Sequence, residues 1–235
     1  MVCSHGFNED QWCHICNNGW EPKTKICCVS DLHGNLPEIP DCHFLCIAGD
    51  ILPLNIQRNS FKSIGWLQTK FKYWLENIYN RGIVTIGVAG NHDFVFEKDP
   101  CLIPEDMYWA YLQDDSFEFE GLKFWGTPWQ PTFYNWAFNL DEEYLDGKWD
   151  LIPLDTDVII VHGPPYMNGD RVPGGLHVGS PSLLRKIEEI KPKLVVCGHV
   201  HCSAGIYHID DTIVVNASYV NEQYKPTGKV FEITL

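Results

Sequence analysis

Long apolar runs and clusters of basic residues are both missing from this 235-residue chain. No segment approaches the roughly 20 consecutive apolar residues of a membrane-spanning helix, so none of it reads as one. Met1-Val2-Cys3-Ser4-His5 carries neither a basic region nor an apolar signal core, which predicts a cytoplasmic protein. Lys and Arg total 17 against 31 Asp and Glu, for a formal net charge of -14. Nucleic-acid binders present Lys and Arg clustered on one face; their scarcity and scatter here argue against a long polyanion as partner. The remaining composition, 45% hydrophobic and 20% charged, is ordinary for a globular domain with one sizeable core.

What the chain does contain is five short islands of Asp, His and Asn, each placed where an apolar run ends. They are Asp31-Leu32-His33-Gly34, Gly49-Asp50, Gly90-Asn91-His92-Asp93, Val161-His162-Gly163-Pro164 and Gly198-His199-Val200-His201. The runs before them, 26–29, 44–48, 83–89, 158–161 and 194–197, are short and rich in Val, Ile or Cys, and predict buried strands. In open α/β sheets ligands bind outside the carboxyl ends of the strands. Carboxylates and imidazoles gathered at that rim suit divalent ions such as Mn, Fe, Zn or Mg, and shared carboxylates can hold a pair of them. A single Asp-x-His-Gly is an ordinary turn; five such islands in this order are a different matter.

The set D-x-H, G-D, G-N-H-D, H-G-P-P and G-H-x-H resembles the calcineurin-like metallophosphoesterase superfamily, from about Ile26 to the C-terminus. Gly126-Thr127-Pro128-Trp129-Gln130-Pro131, Trp136-Ala137-Phe138-Asn139-Leu140 and Val215-Asn216-Ala217-Ser218 resemble its metallophosphoesterase-domain-containing branch. The resemblance implies a four-layer αββα sandwich of two mixed sheets with flanking helices and a dimetal site at the strand C-terminal ends. It implies that Asp31, His33, Asp50 and His201 hold one ion and that Asp50, Asn91, His162 and His199 hold the other, with Mn, Fe, Zn, Ni and Mg all chemically admissible. The implied reaction is hydrolysis of a small phosphodiester or monoester, cyclic nucleotides included, by in-line attack of a hydroxide shared between the ions. His92 is then the candidate to protonate the leaving oxygen. Asp93, where many relatives have Glu, is the candidate to orient His92 and raise its pKa.

Alternatives stand beside this reading. A protein phosphatase is disfavoured because the pattern G-D-x-V-D-R-G is absent: Gly49-Asp50 continues into Ile51-Leu52-Pro53 and lacks the phosphate-clamping Arg. A nuclease is disfavoured by charge. A catalytically weak metal-binding scaffold that serves partner interaction is the non-enzyme alternative. Arg171 and His177, in the Pro- and Gly-rich loop 163–179, are candidate substrate-binding residues or merely solvated ones. The aromatics between Thr127 and Trp149 either fill core or, in cases such as Trp129 or Phe133, stack on a substrate ring.

Residues 1–25 read as a Cys/His segment ahead of a metallophosphoesterase-like domain expected over 26–235. Cys3, His5, Cys13 and Cys16 are a candidate structural zinc set, with His14 able to replace His5; a segment of ordinary thiols fits the same residues. Cys27, Cys28, Cys46 and Cys197 read as small core hydrophobes.

Elsewhere, apolar spacing predicts a helix over 61–80 with Phe61, Ile64, Leu67, Phe71, Trp74 and Ile78 on one face. A short helix is expected over 104–112, and a hairpin from 116–120 and 122–125 about Glu120-Gly121. A helix capped by Ser180-Pro181 should run to Ile190. Strands are expected at 206–209, 212–216 and 229–234.

Overall fold

A computed structural model of the protein describes residues 23–235. The candidate zinc set Cys3, His5, Cys13 and Cys16 lies outside the described residues. In chain order the strands are β1 (Lys25–Val29), β2 (Phe44–Ala48), β3 (Val84–Val88), β4 (Ala110–Tyr111), β5 (Asp115–Phe119), β6 (Leu122–Thr127) and β7 (Gln130–Pro131), then β8 (Asn139–Leu140), β9 (Val158–Val161), β10 (Leu194–Cys197), β11 (Gly205–Ile209), β12 (Thr212–Asn216) and β13 (Phe231–Thr234). The helices are α1 (Ser60–Trp66), α2 (Lys72–Tyr79), α3 (Phe94–Lys98), α4 (Glu142–Trp149) and α5 (Pro181–Ile190).

Two mixed sheets carry the fold. One has the order β13-β1-β2-β3-β4 and the other β11-β12-β10-β9-β6-β5. In the first, β1 to β4 run parallel and β13 is antiparallel at the edge. In the second, β12, β10, β9 and β6 run parallel, flanked by antiparallel β11 and β5. Strands buried on both faces need apolar side chains at every position, and the short continuous runs of the sequence supply them. Ile26, Cys28, Phe44, Cys46, Ile160 and Val196 point between the sheets. Their alternates Cys27, Val29, Leu45 and Ile47 pack under Leu67, Phe71, Trp74 and Ile78. Ile159, Val161 and Val195 pack under Leu145, Trp149, Leu183 and Ile187. The result is the expected four-layer αββα sandwich.

Several local expectations are corrected. The 61–80 helix is interrupted by a π-helical stretch, Leu67–Phe71, and Phe61 projects into solvent at 89% exposure rather than joining the apolar face. No helix covers 104–112; Pro100–Leu102 forms one 3-10 turn, and the chain then extends so that Ala110 and Tyr111 pair with Ile86 and Gly87. Sheet pairing there outweighs local helix preference. Two helices come without a sequence expectation, α3 directly after the Gly90–Asp93 island and α4 inside the aromatic stretch. The β5–β6 hairpin turns on Glu120 and Gly121, both at positive φ, as that two-residue turn requires. The C-terminal strand begins at Phe231 rather than Lys229.

Candidate metal centre

Every island leaves the carboxyl end of a parallel strand: Asp31 and His33 after β1, Asp50 after β2, Asn91 and His92 after β3, His162 after β9, His199 and His201 after β10. The sheets are stacked, so the loops of both meet at one end. Asp31, His33, Asp50 and His199 all take positive φ, between 44° and 70°. Such non-glycine backbone costs on the order of 1–3 kcal/mol per residue and collects at functional sites. Two glycines permit the close approach: a Cβ on Gly90 would sit 2.3 Å from Asp50 Oδ1, and one on Gly198 would sit 1.9 Å from Ser30 Oγ.

All seven expected ligands converge. His33 Nε2 lies 3.6 Å from Asp50 Oδ2, and His201 Nε2 lies 3.1 Å from Asp31 Oδ1. His162 Nε2 is 3.5 Å from Asp50 Oδ1. Asn91 Oδ1 sits between His162 Nε2 at 2.8 Å and His199 Nδ1 at 2.7 Å. The groups Asp31–His33–His201 and Asp31–Asp50–His162 each bring one ligand atom per residue within 4.8 Å of one another, as does His33–Asp50–His92.

The donor set fits divalent cations. Both ring nitrogens of His33 are buried and, among the described residues, have no hydrogen-bond partner. A buried polar atom left unpaired costs about 1–3 kcal/mol, and among the described residues no group pairs these. Burial, reinforced by the charges of Asp31 and Asp93, pushes the Asp50 carboxyl well above the usual carboxylate range. Burial likewise drives His33 well below the ordinary imidazole value. Asp31 is also buried, but His201, His162 and His33 around it hold its carboxyl well below the usual range. A divalent cation among these groups would favour ionised Asp50 and neutral His33 together.

Neighbours brace the ligands. His162 Nδ1 bonds the carbonyl of Ala48 at 2.8 Å and His201 Nδ1 that of Asn221 at 3.2 Å, which turns each Nε2 toward the centre. The His199 amide donates to Asp31, and the His92 amide donates to Asp50 Oδ1 at 2.7 Å. Asn216, buried at the end of β12, donates to the carbonyls of Gly169 and Val200, and Ser218 Oγ lies 2.7 Å from Asp31 Oδ2.

His92 sits inside the same cluster, Nε2 3.8 Å from Asp50 Oδ2. Burial and the neighbouring His162 lower its pKa to about 3, against the pull of Asp31. Asp93 does not orient it, contrary to expectation. The Asp93 carboxylate is buried and accepts the amides of Ile51 at 3.0 Å, Leu52 at 2.9 Å and Gly90 at 2.8 Å, tying the loops after β2 and β3 together. Burial still raises its carboxyl to about 6. Gln57 Oε1 meets His92 Nδ1 instead, and the Trp136 ring stacks on His92 with centroids 4.2 Å apart.

A cavity of about 370 Å³ opens onto Asp50, Asn91, His92, His199 and His201. Its outer wall is largely apolar, with Phe133, Trp136, Pro173, Val178 and Tyr224. The expectation that some aromatics fill core while others line a pocket therefore divides by residue: Phe138 and Trp149 are buried, Phe133 is 49% exposed, and Trp129 is bonded to Asp114 and packed on Phe138. Arg171 and His177 lie outside the cavity wall. Arg171 is exposed and its carbonyl accepts from Ser203 Oγ and Cys202 Sγ, while His177 is engaged by buried Asp170 at 2.6 Å. Sequence reasoning misses Gln57, Trp136 and Tyr224 as site residues; Gln57 and Tyr224 stand in loops with no motif to mark them, and Trp136 opens a branch motif that does not by itself place its ring at the site.

Among the described residues, no helix is long and apolar enough to cross a membrane. The family model for calcineurin-like phosphoesterases matches residues 24–203. Metallophosphoesterase domain-containing protein 1 of Homo sapiens is 33% identical over 242 residues, covering 90% of this chain and 71% of that protein. UPF0046 protein T07D4.2 of Caenorhabditis elegans is 29% identical, covering 84% of this chain and 56% of that one. Among solved structures, TT1561 of Thermus thermophilus shares the fold at a TM-score of 0.52 and 15% identity, over 91% of this chain and 99% of that chain. With the family model spanning most of its length and the human relative above 30% identity, the chain belongs to the calcineurin-like phosphoesterase family.

Proposed function

We propose that the protein is a dimetal hydrolase of small phosphodiesters or phosphomonoesters, with cyclic nucleotides among its candidate substrates. Asp31, His33, Asp50 and His201 would hold one ion, and Asp50, Asn91, His162 and His199 the other. The observation that carries this reading is the convergence of five strand-end loops on two buried carboxylates, with His33 beside them and, among the described residues, without a hydrogen-bond partner. Divalent cations bound there supply Lewis acidity, which lowers the pKa of water toward about 7 and neutralises phosphoryl charge.

The chain's own residues do the rest. Phe133, Trp136 and Tyr224 give the leaving portion of a substrate an apolar wall and keep water from it. That enclosure and the net charge of -14 favour a small ester over a nucleic-acid duplex or a folded phosphoprotein. His92 Nε2, facing the cavity beside Asp50, delivers a proton to the departing oxygen; an anionic phosphate opposes the desolvation that otherwise keeps this ring neutral. Seven free cysteines among the described residues suit a reducing, cytoplasmic setting.

The test is a substrate panel of bis-p-nitrophenyl phosphate, p-nitrophenyl phosphate and 2′,3′- and 3′,5′-cyclic nucleotides, with Mn, Fe, Ni, Zn or Mg supplied singly and elemental analysis alongside. Cation-dependent turnover that Asp50→Ala abolishes is the expected result. Stoichiometric metal with no turnover of any ester would favour the scaffold reading.

A further inference from the structure

We propose that Gln57 is a positioning residue for His92, taking the Nδ1 proton of the ring on its side-chain carbonyl and so committing Nε2 to the reacting ester. The inference rests on the reading of His92 as proton donor. The acidic neighbour that sequence suggests for this task, Asp93, is fully engaged by three backbone amides and leaves the imidazole to another partner. Gln57 Oε1 is that partner. A carbonyl oxygen only accepts, so Nδ1 must carry a proton, and Nε2 is left toward Asp50 and the cavity.

The ring plane is held as well as its tautomer. Trp136 stacks on it at an interplanar angle of 30°. The guanidinium of Arg58, the next residue after Gln57, lies 5.0 Å over Trp136 and 4.2 Å over Phe94, and Arg58 Nη2 donates to the Asn135 carbonyl at 2.9 Å. Consecutive residues of one loop thus brace His92 at its edge and, through Trp136, at its face. That loop is itself tied down: Ile56 and Gln57 amides reach the Pro53 carbonyl at 3.1 and 3.2 Å, and Asn59 caps α1.

The proton balance follows. Hydroxide adds to phosphorus as the ester P–O bond breaks, and the electron pair of that bond goes to the leaving oxygen. That oxygen takes the Nε2 proton of a ring protonated at both nitrogens beside the bound anionic ester, and the ring keeps Nδ1–H and ends as neutral imidazole. The side-chain oxygen at position 57 accepts from Nδ1–H and leaves Nε2 as the nitrogen that faces the ester, so the direction of delivery is set.

The test separates leaving groups. A nitrophenolate departs without a proton, whereas the alkoxide of a cyclic nucleotide needs one. Gln57→Ala and Gln57→Leu should lower kcat on a cyclic nucleotide by about 10- to 100-fold, leave KM and metal content unchanged, and barely alter bis-p-nitrophenyl phosphate hydrolysis; Gln57→Glu should restore most of the loss. An equal fall on both substrates would mean a merely structural role and overturn the proposal. Independently, ¹⁵N NMR of the full chain at pH 8, with Mg²⁺ and without, should show His92 as the Nδ1–H tautomer, converted to a mixture in Gln57→Leu. An unchanged tautomer also overturns it. Full cyclic-nucleotide turnover by His92→Ala would defeat the proton-donor reading instead, and the NMR result would still decide what Gln57 does.

Discussion

Asp50 and His92 stand within 4 Å of each other yet should fail differently when removed. Asp50 belongs to both proposed ion sites, so Asp50→Ala should bind no metal in elemental analysis and show no turnover. His92→Ala should keep its metal and lose roughly 10²- to 10⁴-fold in kcat on a cyclic nucleotide, the usual contribution of a general acid, with a smaller loss on a nitrophenyl ester. Asp93 acts through structure. Asp93→Ala leaves three buried amides without an acceptor, each costing about 1–3 kcal/mol. A thermal melt should show severe destabilisation, and metal binding should fail because the loops after β2 and β3 part.

At the level of elements, the decisive places are the junctions where a parallel strand gives way to a ligand-bearing turn. Backbone there approaches backbone more closely than a Cβ allows. Gly90→Ala and Gly198→Ala should each cost about 1–3 kcal/mol of stability, as overpacking does, and should weaken Mn²⁺ binding in calorimetric titration, since the atoms displaced belong to Asp50 in one case and to Ser30 and Asp31 in the other. Helix α5 offers a control outside the expected ligand set. Ser180 caps it by accepting from the Leu183 amide at 3.1 Å. Ser180→Ala should lower stability by about 0.5–2 kcal/mol while leaving metal affinity unchanged.

For the molecule as a whole, the two sheets are a frame that brings like charges together, and cations are expected to relieve them. At a free metal concentration of 100 Kd the native state gains about 2.7 kcal/mol by mass action. For a domain of this size that corresponds to a rise of about 5–10 °C in Tm. Scanning calorimetry with Mn²⁺, and again after a chelator, should show the rise and its reversal; an unmoved Tm would mean that the centre does not load.

Much of this was open to reading in one dimension. Strands buried on both faces require unbroken apolar runs, so β1, β2, β3, β9 and β10 announce themselves, and the polar islands that end them mark the seven expected ligands as one set. Local rules also place the β5–β6 turn and the Ser180 cap, because each depends on neighbouring residues alone. Tertiary structure decided what depends on contacts distant in sequence: that residues 104–112 are drawn into extended pairing with β3, that Asp93 is consumed by amides 41 and 42 residues away, and that His92 finds Gln57, 35 residues before it. A carboxylate next to a histidine in sequence suggests a pair. Which acceptor the ring meets is settled only when the loops of separate strands are packed against one another, since a buried carboxylate is claimed by the most numerous amides within reach.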